Sequence, residues 1–355
     1  YNPNNTCGTF SKYYPHNYVQ FISYLKEMAA VERVILPPTV EPIHYSLSLH
    51  PNLDNLVFSC DEIIDVEVVT ACNCITMHSR EIHVKEASFK NVESGVGPSL
   101  QNISYHLVDN TVTLTFDGEL PIGKGIVTIA FDGILNGDMA GFYKSGYTDA
   151  DGNKKVMANT QFEAIDARRA FICWDEPERK ATFSVTMTVP NALTAISNMP
   201  AMSTKMIPNG KKKIVFDISP KMSTYLLAWA VGEFDYVQGM TQNGVTIRVF
   251  TPPGRGEEGR FALDVGIRAL DFYDDFFKIP YPLPKCDMLC CTEFAMGAME
   301  NWGLVTYREV DLLIDQEKGN ATTSRKQRVA IVVAHELAHQ WFGNAVTEYD
   351  WDDIW

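Results

Sequence analysis

The strongest constraint on the fold is a period of two. His44-Tyr45-Ser46-Leu47-Ser48-Leu49-His50 alternates polar and apolar residues. That is the pattern of a strand with one face in a core and the other in solvent. The runs 61–70, 74–78, 81–85, 110–116 and 125–131 repeat it, and Pro51-Asn52, Asp117-Gly118 and Asp132-Gly133 stand where the chain should reverse. After a polar loop at 149–153, further strand-like runs follow at 181–189, 192–198, 211–218 and 224–231. Many short strands with turn signals and almost no helical period predict an antiparallel sheet domain over 34–240.

The pattern changes after that. The stretch 235–244, with Gly239 and Gly244, reads as a boundary, 245–250 as a strand and Pro252-Pro253-Gly254 as a turn. Residues 257–277 predict a helix with Ala262, Val265, Ala269 and Phe276 near one face. Strands are expected at 286–291 and 303–308, and a long helix at 322–342. The chain therefore reads as multi-domain α+β, with an N-terminal extension at 1–33, an antiparallel β domain at 34–240 and the start of an α+β domain at 241–355. In the extension, 18–28 could form a short helix and Met28-Ala29-Ala30 resembles a translation start. Residues 1–27 are either an addition that contributes little to the fold or an ordinary mobile arm.

Composition narrows the function classes. A chain of 355 residues, 46% hydrophobic and 21% charged, can bury sizeable cores. Its formal charge of −14 argues against nucleic acid or an anionic membrane as the main partner and suits a cationic ligand such as a peptide's ammonium end. No apolar run is long enough to span a bilayer, and no charged start followed by an apolar stretch marks a signal peptide. The 8 cysteines include no CxxC pair, and the expectation is reduced, mostly buried thiols, which favours the cytoplasm. A secreted or membrane-anchored form would need a leader or anchor ahead of Tyr1. The sequons at Asn4, Asn102 and Asn320 carry no weight, because such triplets are common by chance.

The chemistry concentrates in His335-Glu336-Leu337-Ala338-His339. No Pro or Gly lies between Gln327 and Phe342, so these residues should be helical. Residues four apart share a helix face, and two imidazoles there can hold one metal ion. Glu336 is placed to reach a metal-bound water rather than the metal. Upstream, Met296-Gly297-Ala298-Met299-Glu300-Asn301-Trp302-Gly303 lies between two predicted strands. Arg168-Arg169 and Asp175-Glu176 look reactive by composition, but ion pairs at a domain junction are the expected role. The acidic run 350–353 reads as the exposed start of a helix.

Gly297-Ala298-Met299-Glu300-Asn301 followed by His335-Glu336-x-x-His339 resembles the M1 family of zinc aminopeptidases (gluzincins), most of all its puromycin-sensitive branch. Thr160–Phe171, Cys173-Trp174-Asp175-Glu176-Pro177, Met222-Ser223-Thr224-Tyr225-Leu226, Tyr281-Pro282-Leu283-Pro284-Lys285 and the run 301–309 fit the same family in the same order. The resemblance covers residues 34–355. It implies a saddle-like β domain followed by the beginning of a thermolysin-like catalytic domain. It also implies one Zn2+ on His335 and His339, Glu336 as general base, and Glu163 and Glu300 binding the α-amino group of a peptide substrate. Gly297 and Ala298 would bind substrate through backbone groups, with Met299 and Asn301 completing the stretch, although Asn301 could serve only to shape the loop. The leukotriene A4 hydrolase branch has Gly-Gly where Gly297-Ala298 stand and Gln at Glu163, so both positions speak against it.

The sequence departs from the family at its end. The family's third zinc ligand, a Glu on the next helix, would fall just past Trp355. The expectation is therefore a C-terminally truncated chain that binds zinc poorly and hydrolyses peptides weakly. A non-catalytic fragment that binds peptide N-termini is the alternative.

Overall fold

A computed structural model of the protein describes residues 35–149, 151–315, 321–349 and 351. The expected N-terminal extension at 1–33, its short helix, and the helical start at 350–355 apart from Trp351 lie outside the described residues, as do Asn4 and Asn320.

The period of two becomes a seven-stranded sheet ordered β12-β13-β10-β1-β2-β7-β4. Its strands are β1 (Val40–Asn52), β2 (Val57–Val68), β4 (His83–Asn91), β7 (Gly123–Ile134), β10 (Thr182–Pro190), β12 (Ala201–Ile207) and β13 (Lys211–Phe216). Along β2, every second residue from Phe58 to Val68 is buried. The first hairpin turns where Asn52 Oδ1 accepts from the backbone N–H groups of Asp54 and Asn55 at 3.1 and 3.0 Å, an Asx turn that uses the side chain as a backbone mimic. Pairing is antiparallel except between β1 and β10, which run parallel. A three-stranded sheet, β3-β6-β5, comprises β3 (Cys72–His78), β5 (Leu100–His106) and β6 (Thr111–Leu120).

A four-stranded sheet, β11-β14-β9-β8, lies next to the site. It comprises β8 (Gly141–Thr148), β9 (Lys154–Gln161), β11 (Thr194–Ser197) and β14 (Trp229–Gly232). The run expected at 224–231 divides here into a 3-10 turn, Thr224–Leu226, and β14. Trp229 is fully buried, with ring centroids of Phe142, Phe162 and Phe171 at 5.5, 5.5 and 6.4 Å. Side chains of this size each remove roughly 150–250 Å2 from water, on the order of 4–6 kcal/mol before conformational entropy is counted. This aromatic cluster therefore holds β9, and the residues just past it, rigidly.

The second sheet system is ordered β15-β16-β17-β19-β18. Its strands are β15 (Asp235–Met240), β16 (Thr246–Thr251), β17 (Lys285–Cys291), β18 (Ala298–Met299) and β19 (Leu304–Arg308). Helices α1 (Arg260–Phe277), α2 (Glu309–Leu312) and α3 (Thr323–Ala338) accompany it. The change between the two systems falls at Glu233-Phe234, ahead of the stretch that the sequence suggested as the boundary. A Cβ on Gly239 would lie 2.6 Å from Ile267 Cδ1. That glycine lets α1 sit close on β15 and does not mark a linker.

The paired ions are also placed differently from the expectation. Arg168 Nε donates to Asp175 at 2.9 Å, and Arg169 reaches Glu81 at 2.8 Å and Asp138 at 2.7 Å. All five residues belong to the β domain, so these are internal braces and not a domain junction. All seven cysteines among the described residues are free. No helix among those residues is long and apolar enough to cross a membrane.

Candidate active site

Thr322 caps the start of helix α3, its side chain accepting from the Arg325 N–H at 3.2 Å, the usual way to satisfy an orphan donor of the first turn. It buries Val329, Val332, Val333, Glu336 and Leu337, and Tyr273 of α1 donates to Ala334 O at 2.9 Å. The helix ends at Ala338, earlier than the sequence suggested, and His339 is its C-cap. Two features stop it. Trp341 packs on Phe277 and Tyr273 with centroids at 5.3 and 5.8 Å, and Gly343 takes a φ of +124°. The Asn344 N–H then returns to His339 O at 3.0 Å.

The two imidazoles converge. His335 Nε2 and His339 Nε2 are 3.0 Å apart, with the rings nearly perpendicular. His339 Nδ1 lies 2.9 Å from Phe342 O. A carbonyl only accepts, so Nδ1 carries the proton and Nε2 presents a lone pair. That tautomer and outer hydrogen bond suit a metal-binding histidine. Two nitrogens at about 2.0–2.1 Å from a tetrahedral zinc stand roughly 3.3 Å apart. The pair therefore fits the ion. Among the described residues no group of three or more His, Cys, Asp or Glu is arranged to hold a metal.

Glu300 follows β18, the outer strand of its sheet, in which Ala298 pairs with Tyr307 and Met299 with Thr306. Its backbone oxygen accepts from Gln340 Nε2 at 3.2 Å and Asn344 Nδ2 at 2.8 Å. Gln340 also donates to Glu336 O at 3.1 Å. The Glu300 backbone is thus fastened to the turn that carries His339, and Glu300 Oε1 lies 3.9 Å from His339 Nδ1. Met299 and Asn301 have buried side chains, and Asn301 Nδ2 donates to Thr306 Oγ1 at 3.2 Å. Gly297 sits beside the Asp311–Arg328 ion pair, and a Cβ there would lie 3.4 Å from Asp311 Oδ2 and 3.5 Å from Arg328 Nη2. Glu163 arrives from the other sheet system. It follows Phe162, locked in the Trp229 cluster, at the end of β9.

Burial and mutual repulsion dominate the electrostatics. Burial, then the charge of Glu300, pushes the Glu163 carboxyl up to about 7, with His339 opposing. Burial, then Glu300 and Glu163, pushes Glu336 up to about 9. Burial also raises Glu300. Desolvated carboxyls crowded together hold protons until a cation arrives.

Residues 41–226 match the Peptidase M1 N-terminal domain, and residues 261–355 match the Peptidase family M1 domain. The chain belongs to peptidase family M1. It is similar to aminopeptidase M1-C of Oryza sativa subsp. japonica, 48% identical over 320 residues that make up 90% of this chain and 36% of that protein. It is also similar to the puromycin-sensitive aminopeptidase of Caenorhabditis elegans, 45% identical over 328 residues, 92% of this chain and 34% of that protein. The alanine/arginine aminopeptidase of Saccharomyces cerevisiae is 44% identical over 330 residues, 92% and 37% of the two chains. The M1 chain thus spans about a third of the length of these curated relatives.

Several residues around this M1 site received no individual role in the sequence reading, although Tyr225 and Lys285 lie in stretches that carry the resemblance. Tyr225 donates to Gly343 O at 3.2 Å and packs its ring on Trp351. Glu348, half-buried, adds its charge to those of Glu163 and Glu300. Asn198 and Lys285 tie the two sheet systems together beside the Glu300 loop. Asn198 Nδ2 donates to Leu226 O and Trp302 O at 2.7 and 2.9 Å, and Lys285 Nζ donates to Ser197 O and Gly303 O at 2.6 and 2.8 Å. These side chains act on backbone oxygens far away in sequence, and no local pattern marks such a role.

Proposed function

We propose that this chain carries the amine-gripping and water-activating part of a zinc aminopeptidase centre whose substrates are peptides with a free N-terminus. One observation supports the reading above others: Glu163, Glu300 and Glu336 come from separate segments, each acts electrostatically on another, and Glu300 lies 3.9 Å from His339 of the converging imidazole pair. His335 and His339 would hold zinc through Nε2, and bound zinc would supply Lewis acidity and a water of lowered pKa. Glu336, one residue from the first ligand, would take that water's proton and return it to the departing amine.

Glu163 and Glu300 would receive the α-ammonium group by charge-assisted hydrogen bonds, which draw both carboxyls back to the ionised form. An internal peptide segment brings no such charge, so binding favours chain ends. Gly297 and Ala298, on the outer strand, leave backbone groups to an extended substrate. Met299 and Asn301 would serve by holding that strand and its turn in shape. Free cysteines suit a reducing compartment, and we assign the protein to the cytosol.

Two imidazoles alone make a weak zinc site, so slow turnover by the 355-residue chain is expected. A second reading follows from the same observation: the carboxylates are assembled whatever the metal does, so the chain would bind peptide N-termini without cleaving them. Calorimetry with a dipeptide and its N-acetylated form tests the amine grip. Acetylation should weaken binding at least about tenfold, and equal affinity would sink both readings. Brisk release of an aminoacyl-coumarin by the chain, lost on Glu336→Ala, would overturn the expectation of weak activity and keep the enzyme reading.

A further inference from the structure

The hairpin β12–β13 carries a concentration of positive charge with no acidic residue of its own. Residues 201–216 contain Lys205, Lys211, Lys212 and Lys213 and no acidic residue, in a chain of net charge −14. Lys205 stands directly opposite Lys213, and Ile207 opposite Lys211. Direct partners share a sheet face, as do residues two apart on a strand, so Lys205, Lys211 and Lys213 project from one side. Like charges directly opposite on neighbouring strands destabilise the pairing. Among the described residues no carboxylate forms an ion pair with any of the four lysines. Inward, the face meets His50 of β1, whose proton affinity burial lowers first, Asp61 at 3.9 Å raises, and Lys211, Lys213 and Lys85 lower further.

Protection of a sheet edge explains only part of this. β12 is the edge strand, and a lysine there discourages pairing with other chains. Lys211 and Lys213 lie on β13, which β12 and β10 already flank on both sides. They protect no edge. Met206 stands opposite Lys212 and so projects from the other side of the hairpin, and Met202 and Met206 are 65% and 68% exposed. Methionine side chains adapt to varied apolar contacts and are frequent on surfaces that bind peptides.

We propose that the β12–β13 hairpin is a docking surface for an acidic, extended segment of another protein. Laid along the β12 edge, the segment sends alternate side chains to the two faces, its carboxylates toward Lys205 and Lys213 and its apolar groups toward Met206. β12 has seven residues, about 23 Å at about 3.3 Å each, so the surface accommodates a segment of similar length. Nucleic acid and anionic membranes fit less well. They are extended polyanions, and the acidic remainder of the chain repels them. A short segment confined to the hairpin avoids that repulsion. This docking is independent of the peptidase chemistry.

The test is fluorescence anisotropy of the full chain with a fluorescein-labelled peptide of about eight residues, mostly Glu and Asp with two Leu. Binding should weaken severalfold as salt rises from about 50 to about 200 mM. The pair K205E/K213E should weaken it at least about tenfold, and K205Q/K213Q by less, each with the thermal midpoint preserved. Absence of binding, or binding that the charge reversal leaves unchanged, overturns the proposal. Tighter binding to a single-stranded DNA oligonucleotide or to phosphatidylserine vesicles than to the peptide also overturns it.

Discussion

Glu62 occupies a position on β2 that the alternation reserves for an apolar side chain. It is fully buried, its Oε2 accepts from the Ile172 N–H at 3.3 Å, and its Oε1 has no partner. Burial raises its pKa well above the usual carboxyl value, and the Ile172 N–H only partly opposes this. The folded state therefore holds the proton more tightly than the unfolded chain. That contribution is complete below the unfolded pKa of about 4.3 and is lost as pH rises toward the folded value. Glu62→Gln should stabilise the protein at pH 7 by on the order of 1–3 kcal/mol, the cost of a poorly satisfied buried group, and have little effect at pH 4. Urea melts at both pH values check this, and equal shifts would refute it. Glu62 shows what is legible at this scale and what is not. His335, Glu336 and His339 were readable because one helix turn sets their geometry. Glu62, Gln340 and Asn344 were not, because their partners are backbone groups from distant segments.

The elements were legible where burial alternates. β1, β2, β6 and β7 read as strands. β9 is buried at most positions and β12 is exposed nearly throughout, so neither shows a period of two. β15 was hidden by Gly239, which the approach of α1 requires. The end of α3 is the element boundary that matters for chemistry. A Cβ on Gly343 would lie 3.2 Å from His339 Nδ1, and its φ of +124° is one that side chains avoid. Gly343→Ala should therefore cost more than about 1 kcal/mol of stability. It should also disturb the bond between His339 Nδ1 and Phe342 O. The measurement is zinc affinity at a temperature where circular dichroism shows the variant folded. Unchanged zinc affinity would mean that the turn does not orient the second imidazole.

At the scale of the whole molecule, the order of motifs along the chain revealed the family, but their convergence needed the fold. Two sheet systems meet along a seam. Besides Asn198 and Lys285, Tyr143 of β8 donates to Glu293 O at 2.8 Å, and the hydroxyls of Ser145 and Thr292 are 2.8 Å apart. Asn198 also accepts from the Ala228 N–H at 2.8 Å. Asn198→Ala would leave three buried backbone groups without partners, which should cost about 2–4 kcal/mol. If the seam couples the two systems, unfolding followed by tryptophan fluorescence and by circular dichroism will remain one coincident transition. Separate midpoints in this variant would show that the systems unfold independently.

That seam has a consequence for biosynthesis. Translation delivers Glu163 with the first sheet system, well before the segment that holds Glu300 and the histidines. The early half emerges with its carboxyl and nothing yet to share it with. Only when the late segment docks along Asn198 and Lys285 do the groups face one another. The constellation is therefore a product of assembly order, absent from the nascent chain until its last described helix has emerged from the ribosome.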